Sequence, residues 1–90
     1  MPVVEHTVII TNKVGLHARP ATLFVQSAAR FHSRIQVRCG EKYANAKSIV
    51  GVLKLGASQG ATLVIQADGE DASEAVQALV TLVENKFDEE

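Results

Sequence analysis

The run Arg34 to Cys39, RIQVRC, alternates polar and apolar residues without a break. A period of two puts Ile35, Val37 and Cys39 on one side of an extended chain and Arg34, Gln36 and Arg38 on the other, the pattern of a strand with one dry and one wet face. Such a strand asks for cover on one side only. The neighbouring segments supply it. PATLFVQSAAR has apolar residues at helical spacing, with Ala21, Phe24, Val25 and Ala28 on one face and Pro20 tolerated in the first turn. The start of this helix falls between Leu16 and Pro20.

Val3 to Thr11 (VVEHTVIIT) is β-branched and partly alternating, which predicts a strand. Gly40 and Glu41 read as a hairpin turn into a short strand over Lys42 to Ala46, and Ala61 to Ala67 reads as another, with Leu63 and Ile65 on one side. Ser48 is a candidate N-cap of a short helix, IVGVLKL, in which Ile49, Val52 and Leu53 share a face and Gly51 is a weak point. Asp71, with Glu74 three residues on, has the spacing of a capping box. It opens a helix whose face is Ala72, Ala75, Val76, Leu79, Leu82 and Val83. The order is βαββαβα, for which a single sheet with helices over its apolar face is the economical arrangement.

Ninety residues suffice for one compact domain, expected to span 1–90, and with no tryptophan the core must come from Val, Ile, Leu and Ala. Cys39 is alone, and no Cys/His pair has zinc-ligand spacing, so no disulfide, metal or cofactor is expected. The N-terminal run has no basic leader and no stretch reaches a membrane span, which predicts a cytoplasmic protein. Charge is uneven. Residues 1–60 carry eight Lys/Arg against Glu5 and Glu41, whereas residues 61–90 carry Lys86 against eight acids. One basic half suggests an acidic partner. A small nucleic-acid binder is disfavoured by the net charge of -1, the few aromatics and the lack of any aromatic-basic motif.

The chemistry-bearing stretch is VGLHARPA, Val14 to Ala21. A histidine beside a helix start combines a nucleophilic imidazole with backbone N–H groups able to hold an anion, and Arg19 adds a permanent cation. The reaction class is covalent phosphoryl transfer with His17 as temporary acceptor. The plain alternative is a helix start with Pro20 as initiator and Arg19 facing solvent.

GLHARPA, the later AKSIVGVLKLG, the QG before a strand and the DGED before the last helix together resemble the HPr family. These are the histidine-containing phosphocarriers of the bacterial phosphoenolpyruvate-dependent sugar phosphotransferase system. The resemblance covers essentially the whole chain. It implies an α+β open-faced β-sandwich, a four-stranded antiparallel sheet with three helices packed on one face. It also implies that His17 is phosphorylated at Nδ1 by Enzyme I and passes the group to a sugar-specific enzyme IIA, with Arg19 neutralising the phosphoryl group.

Ser48 matches the serine that an HPr kinase/phosphorylase modifies in many Gram-positive members, where a catabolite-control transcription factor is a further partner. Val50 and Leu53 stand where kinase-regulated members often carry methionine. Ile49, Val50 and Leu53, beside Ala18, Thr22 and Leu23, match the family's apolar docking patch, with Lys47, Lys54 and Arg19 expected at its rim. Val52 is expected in the core and Val50 exposed. The resemblance further implies a monomer without nucleic-acid or membrane partners. A regulatory paralogue is disfavoured by the presence of His17, while a nitrogen-related branch of the same relay stays open. His6 and His32 have no ligand partner at a recognisable spacing, Cys39 reads as a small core hydrophobe, and the tail Asp88 to Glu90 is expected to be disordered.

Overall fold

The computed structural model describes residues 2–88. Four strands, Val3–Ile9 (β1), Arg34–Cys39 (β2), Lys42–Asn45 (β3) and Thr62–Asp68 (β4), form one antiparallel sheet in the order β1-β4-β2-β3. Three helices, Ala18–Ala28 (α1), Ile49–Lys54 (α2) and Ala72–Glu84 (α3), cover one face. This is the open-faced arrangement expected from the sequence.

The alternation of β2 sets the layers. Ile35 and Val37 are buried with Leu63, Ile65 and Ala67 of β4 and Val8 of β1, while Arg34, Gln36 and Arg38 face outward. Register keeps the two sets apart, because Val37 pairs with Ile65 and Arg38 with Val64. Cys39 is only half-buried, packed against the rim of the core, since β2 ends there in the turn to β3.

α1 buries Pro20, Ala21, Phe24 and Ala28, with Val25 half-buried. α3 buries Ala72, Ala75, Val76, Leu79, Val80 and Val83; Val80 lies outside the expected face, and Leu82, expected in it, is only half-buried. The buried arc of α3 is displaced and broadened because β1, β4, α1 and the C-terminal turn all pack on it. α2 starts as expected, with the Ser48 hydroxyl accepting from the Gly51 N–H at 3.1 Å. Gly51 is there for space. A Cβ on it would stand 3.2 Å from the Ala44 Cβ and 3.3 Å from the Ser48 hydroxyl, so its absence lets α2 lie close on β3.

Two expectations are corrected. The capping box of α3 does not form: Asp71 is the N-cap residue but makes no side-chain capping bond. Its carboxylate turns to the loop before β2, where the N–H groups of His32 and Ser33 lack strand partners and bind it instead. Asp88, expected to open a disordered tail, instead closes a short turn. Lys86–Asp88 forms a left-handed turn, with φ of 54°, 54° and 60°, that sets Phe87 into the core. Glu89 and Glu90 lie outside the described residues.

Candidate functional site

The segment leaving β1 is fastened residue by residue to the segment between α2 and β4. The Ile10 N–H donates to the Ala61 carbonyl (2.9 Å), the Gly60 N–H to the Ile10 carbonyl (2.8 Å) and the Gln59 side-chain amide to the Thr11 carbonyl (3.1 Å). Gly15, at φ +67°, lies directly on the backbone of residues 57 and 58, and any Cβ there would be 2.5 Å from the Ala57 carbonyl oxygen. The Leu16 N–H then donates to that carbonyl at 2.9 Å, and the Leu16 side chain is buried. His17 follows a fixed support.

His17 is the N-cap residue of α1, with φ -97° and ψ -168°. Its carbonyl accepts from the Ala21 N–H at 2.7 Å, but its imidazole makes no capping bond and the residue is exposed. The first turn of a helix carries N–H groups for which the helix itself has no acceptor, and its dipole favours negative charge. Arg19, exposed in that turn, adds a full positive charge. Nucleophile, anion-favouring helix end and cation thus share one surface. No Asp or Glu lies in that first turn to oppose an anion.

The apolar candidates lie on α1 and α2. Ile49, Val50 and Leu53 are 38%, 59% and 40% exposed, whereas Val52 is fully buried, which divides the helix as the sequence predicts. α1 packs against α2, and Ala18, Thr22 and the half-buried Leu23 continue the surface. The Thr22 hydroxyl donates to the Ala18 carbonyl at 2.8 Å, so what it presents to a partner is chiefly its methyl group. Val14, 57% exposed and three residues before His17, is an apolar side chain that the sequence reading passed over. It belongs to no periodic run, and only its place in the tight turn before Gly15 leaves it outside.

Lys47 is placed differently from Lys54. It is half-buried, and its ammonium donates to the Phe31 carbonyl at 2.7 Å, beyond the end of α1. Lys54 stands exposed in the last turn of α2. His6 and His32 are exposed and apart from His17, and among the described residues no group of three or more His, Cys, Asp or Glu could hold a metal. A concavity of about 560 Å³ lies on the open sheet face, lined by residues that include Arg34, Gln36, Asn45, Gln66 and Asp68. Its lining includes none of the VGLHARPA residues.

Residues 4–85 match the family model described as the PTS HPr component phosphorylation site. The chain belongs to the HPr family. It is 46% identical to the phosphocarrier protein HPr of Xylella fastidiosa (strain 9a5c), an alignment covering 96% of this chain and 97% of that one. The fold superposes on a crystal structure of HPr from Thermoanaerobacter tengcongensis with a TM-score of 0.94 at 54% identity, covering 97% of this chain and 98% of the other. With HPr from Bacillus anthracis str. Ames the TM-score is 0.88 at 43% identity, covering 92% and 99%. The chain is thus a member of the phosphocarrier family of the phosphotransferase system. Among the described residues no helix is long and apolar enough to cross a membrane.

Proposed function

We propose that His17 accepts a phosphoryl group from Enzyme I, charged by phosphoenolpyruvate, and delivers it to a sugar-specific enzyme IIA. The observation that carries this reading is the exposed His17 imidazole at the start of α1, uncommitted to capping and two residues from Arg19. In the first transfer Nδ1 attacks phosphorus. The N–P bond forms as the bond from phosphorus to the donor breaks, the electron pair of that bond returning to the donor. Arg19 and the first-turn N–H groups offset the negative charge on the phosphoryl oxygens. In the second transfer the same imidazole is the leaving group. Because the N–P bond keeps a high transfer potential, the carrier needs no contact with the sugar. Ile49, Val50 and Leu53 with Ala18, Thr22 and Leu23 supply the apolar docking surface, and Lys54 and Arg19 steer acidic partners.

Ser48 is a proposed regulatory phosphorylation site for an HPr kinase/phosphorylase, with a catabolite-control transcription factor as the reader. Its hydroxyl is the N-cap of α2, beside Ile49 and Val50, so a phosphate there would set negative charge on the docking surface. The carrier is read as a cytoplasmic monomer.

The test is incubation with Enzyme I and phosphoenolpyruvate. An acid-labile, base-stable phosphoryl adduct on His17 is expected. Its absence with a competent Enzyme I overturns the reading. His17→Ala should abolish transfer, and Arg19→Ala should slow it by on the order of 10²-fold, since a charge partner assists without being the acceptor. Equal and small effects of the two would contradict these roles.

A further inference from the structure

Asn12 lies five residues before His17 and is completely buried. Its side-chain Nδ2 donates to the Gly15 carbonyl at 3.0 Å, and the Gly15 N–H donates back to the Asn12 carbonyl at 3.3 Å. The carbonyl that Asn12 holds belongs to the peptide unit between Gly15 and Leu16. The other end of that unit, the Leu16 N–H, is bound to the Ala57 carbonyl at 2.9 Å. One peptide plane is therefore held at both ends, and the next one carries His17. Without the Asn12 bond the unit is held at its N–H end alone.

The other half of the same side chain argues that this bond is what the residue is for. Asn12 Oδ1 is buried and meets no donor among the described residues. As packing alone, a buried amide with half its bonding capacity uncompensated is inferior to an aliphatic side chain of similar size. Reversing the amide does not help, because it would set Oδ1 against the Gly15 oxygen. The side chain is suited to donating to Gly15 and to little else. Residues that break a packing rule in this way concentrate where function requires them.

We propose that Asn12 is a positioning residue for phosphoryl transfer: by fixing the Gly15–Leu16 peptide it sets the direction in which His17 meets its donor and acceptor. This rests on His17 being the phosphoryl acceptor. A misplacement of about 1 Å can cost on the order of 10²-fold in rate. The docking surface on α2 is untouched, so the loss belongs in kcat and not in KM.

The experiment compares the wild-type chain with Asn12→Leu, which is similar in size and lacks the donor, and with Asn12→Asp, which is isosteric and lacks it when ionised. Each is assayed for transfer from Enzyme I at a temperature where circular dichroism shows it folded. Amide exchange at Leu16 is followed beside that of Val37 in the sheet. The expected result is a fall in kcat of about tenfold or more at nearly constant KM, with faster exchange at Leu16 and unchanged exchange at Val37. Asn12→Asp serves if Asn12→Leu does not fold. Wild-type kcat in a folded variant, or a loss confined to KM, overturns the proposal. Failure of the wild-type chain itself to be phosphorylated would instead overturn the carrier reading.

Discussion

Asp71 and Ser33 are joined twice: the Ser33 N–H donates to Asp71 Oδ1 at 2.9 Å, and the Ser33 hydroxyl donates to the same oxygen. The second oxygen of Asp71 accepts from the His32 N–H at 2.8 Å. The carboxylate closes the loop between α1 and β2 onto the start of α3, a link across 38 residues of sequence. Gly69 makes the approach possible, since a Cβ on it would stand 2.5 Å from the Ser33 hydroxyl.

These bonds hold the Asp71 carboxyl below its ordinary value of 3.8, at about 2, with the Ser33 hydroxyl the largest cause and the His32 N–H next. A pKa depressed in the folded state stabilises the fold above the unfolded value, and the contribution disappears as pH falls through the folded value. Urea unfolding of wild type and Asp71→Asn should therefore differ most at pH 5 and above. The gap should close between about pH 4 and pH 2. A gap independent of pH would show that the carboxylate charge is not what the loop uses.

Gly15 and Gly40 both have positive φ, +67° and +62°, but only Gly15 rests on backbone, while nothing lies within 4 Å of a Cβ on Gly40. Gly40→Ala should cost about 1–2 kcal/mol, the left-handed penalty alone. Gly15→Ala should cost about 3 kcal/mol or more, because residues 57 and 58 would have to move as well. Thermal unfolding checks the order. Near-equal costs would contradict the close approach that supports His17.

Phe87 is buried although its own backbone and those of Lys86 and Asp88 are left-handed, an arrangement that only its packing can sustain. Phe87→Ala should destabilise by about 3–5 kcal/mol in urea unfolding. Lys86→Gly should stabilise by about 1 kcal/mol, since glycine adopts this conformation without the Cβ penalty. A neutral Phe87→Ala would mean that the turn is not anchored by its side chain.

Ser48 offers a separation of stability from docking. Ser48→Ala removes the cap that binds the Gly51 N–H and should cost about 1 kcal/mol. Ser48→Asp keeps an N-cap acceptor, so stability should change little. Its charge beside Ile49 and Val50 should weaken Enzyme I binding by about tenfold or more. Calorimetric titration and thermal unfolding on the two variants distinguish the effects, and unchanged Enzyme I affinity in Ser48→Asp would argue against charge at Ser48 as a regulator.

Much of this fold is written in period and punctuation. RIQVRC fixes a half-buried strand because side chains alternate along any extended chain, and Val50 and Val52 separate into exposed and buried because a helix packed on one side has only one inward face. Ser48 reads as a cap because a short polar side chain before an apolar run has a nearby N–H to bind. Asp71 carries the same local signal, and there it misleads. Its partners, His32 and Ser33, come from far away in sequence, and a capping residue binds whichever donors the tertiary fold brings closest.

The place of His17 and Arg19 at the start of α1 was legible from VGLHARPA, whereas the phosphoryl-transfer role proposed for them rests on the resemblance of the whole chain to its family. The burial of Asn12 and its bond to Gly15 were not legible, nor the inward turn of Lys47, nor the burial of Phe87. Each depends on a carbonyl or a core surface supplied by a distant segment: Gly15 held against Ala57, Phe31 at the end of α1, and the sheet-covering helices. Local sequence determines which backbone a residue prefers and which chemistry it carries. What that side chain touches is decided only when the chain closes on itself, because burial and hydrogen bonding are properties of neighbours.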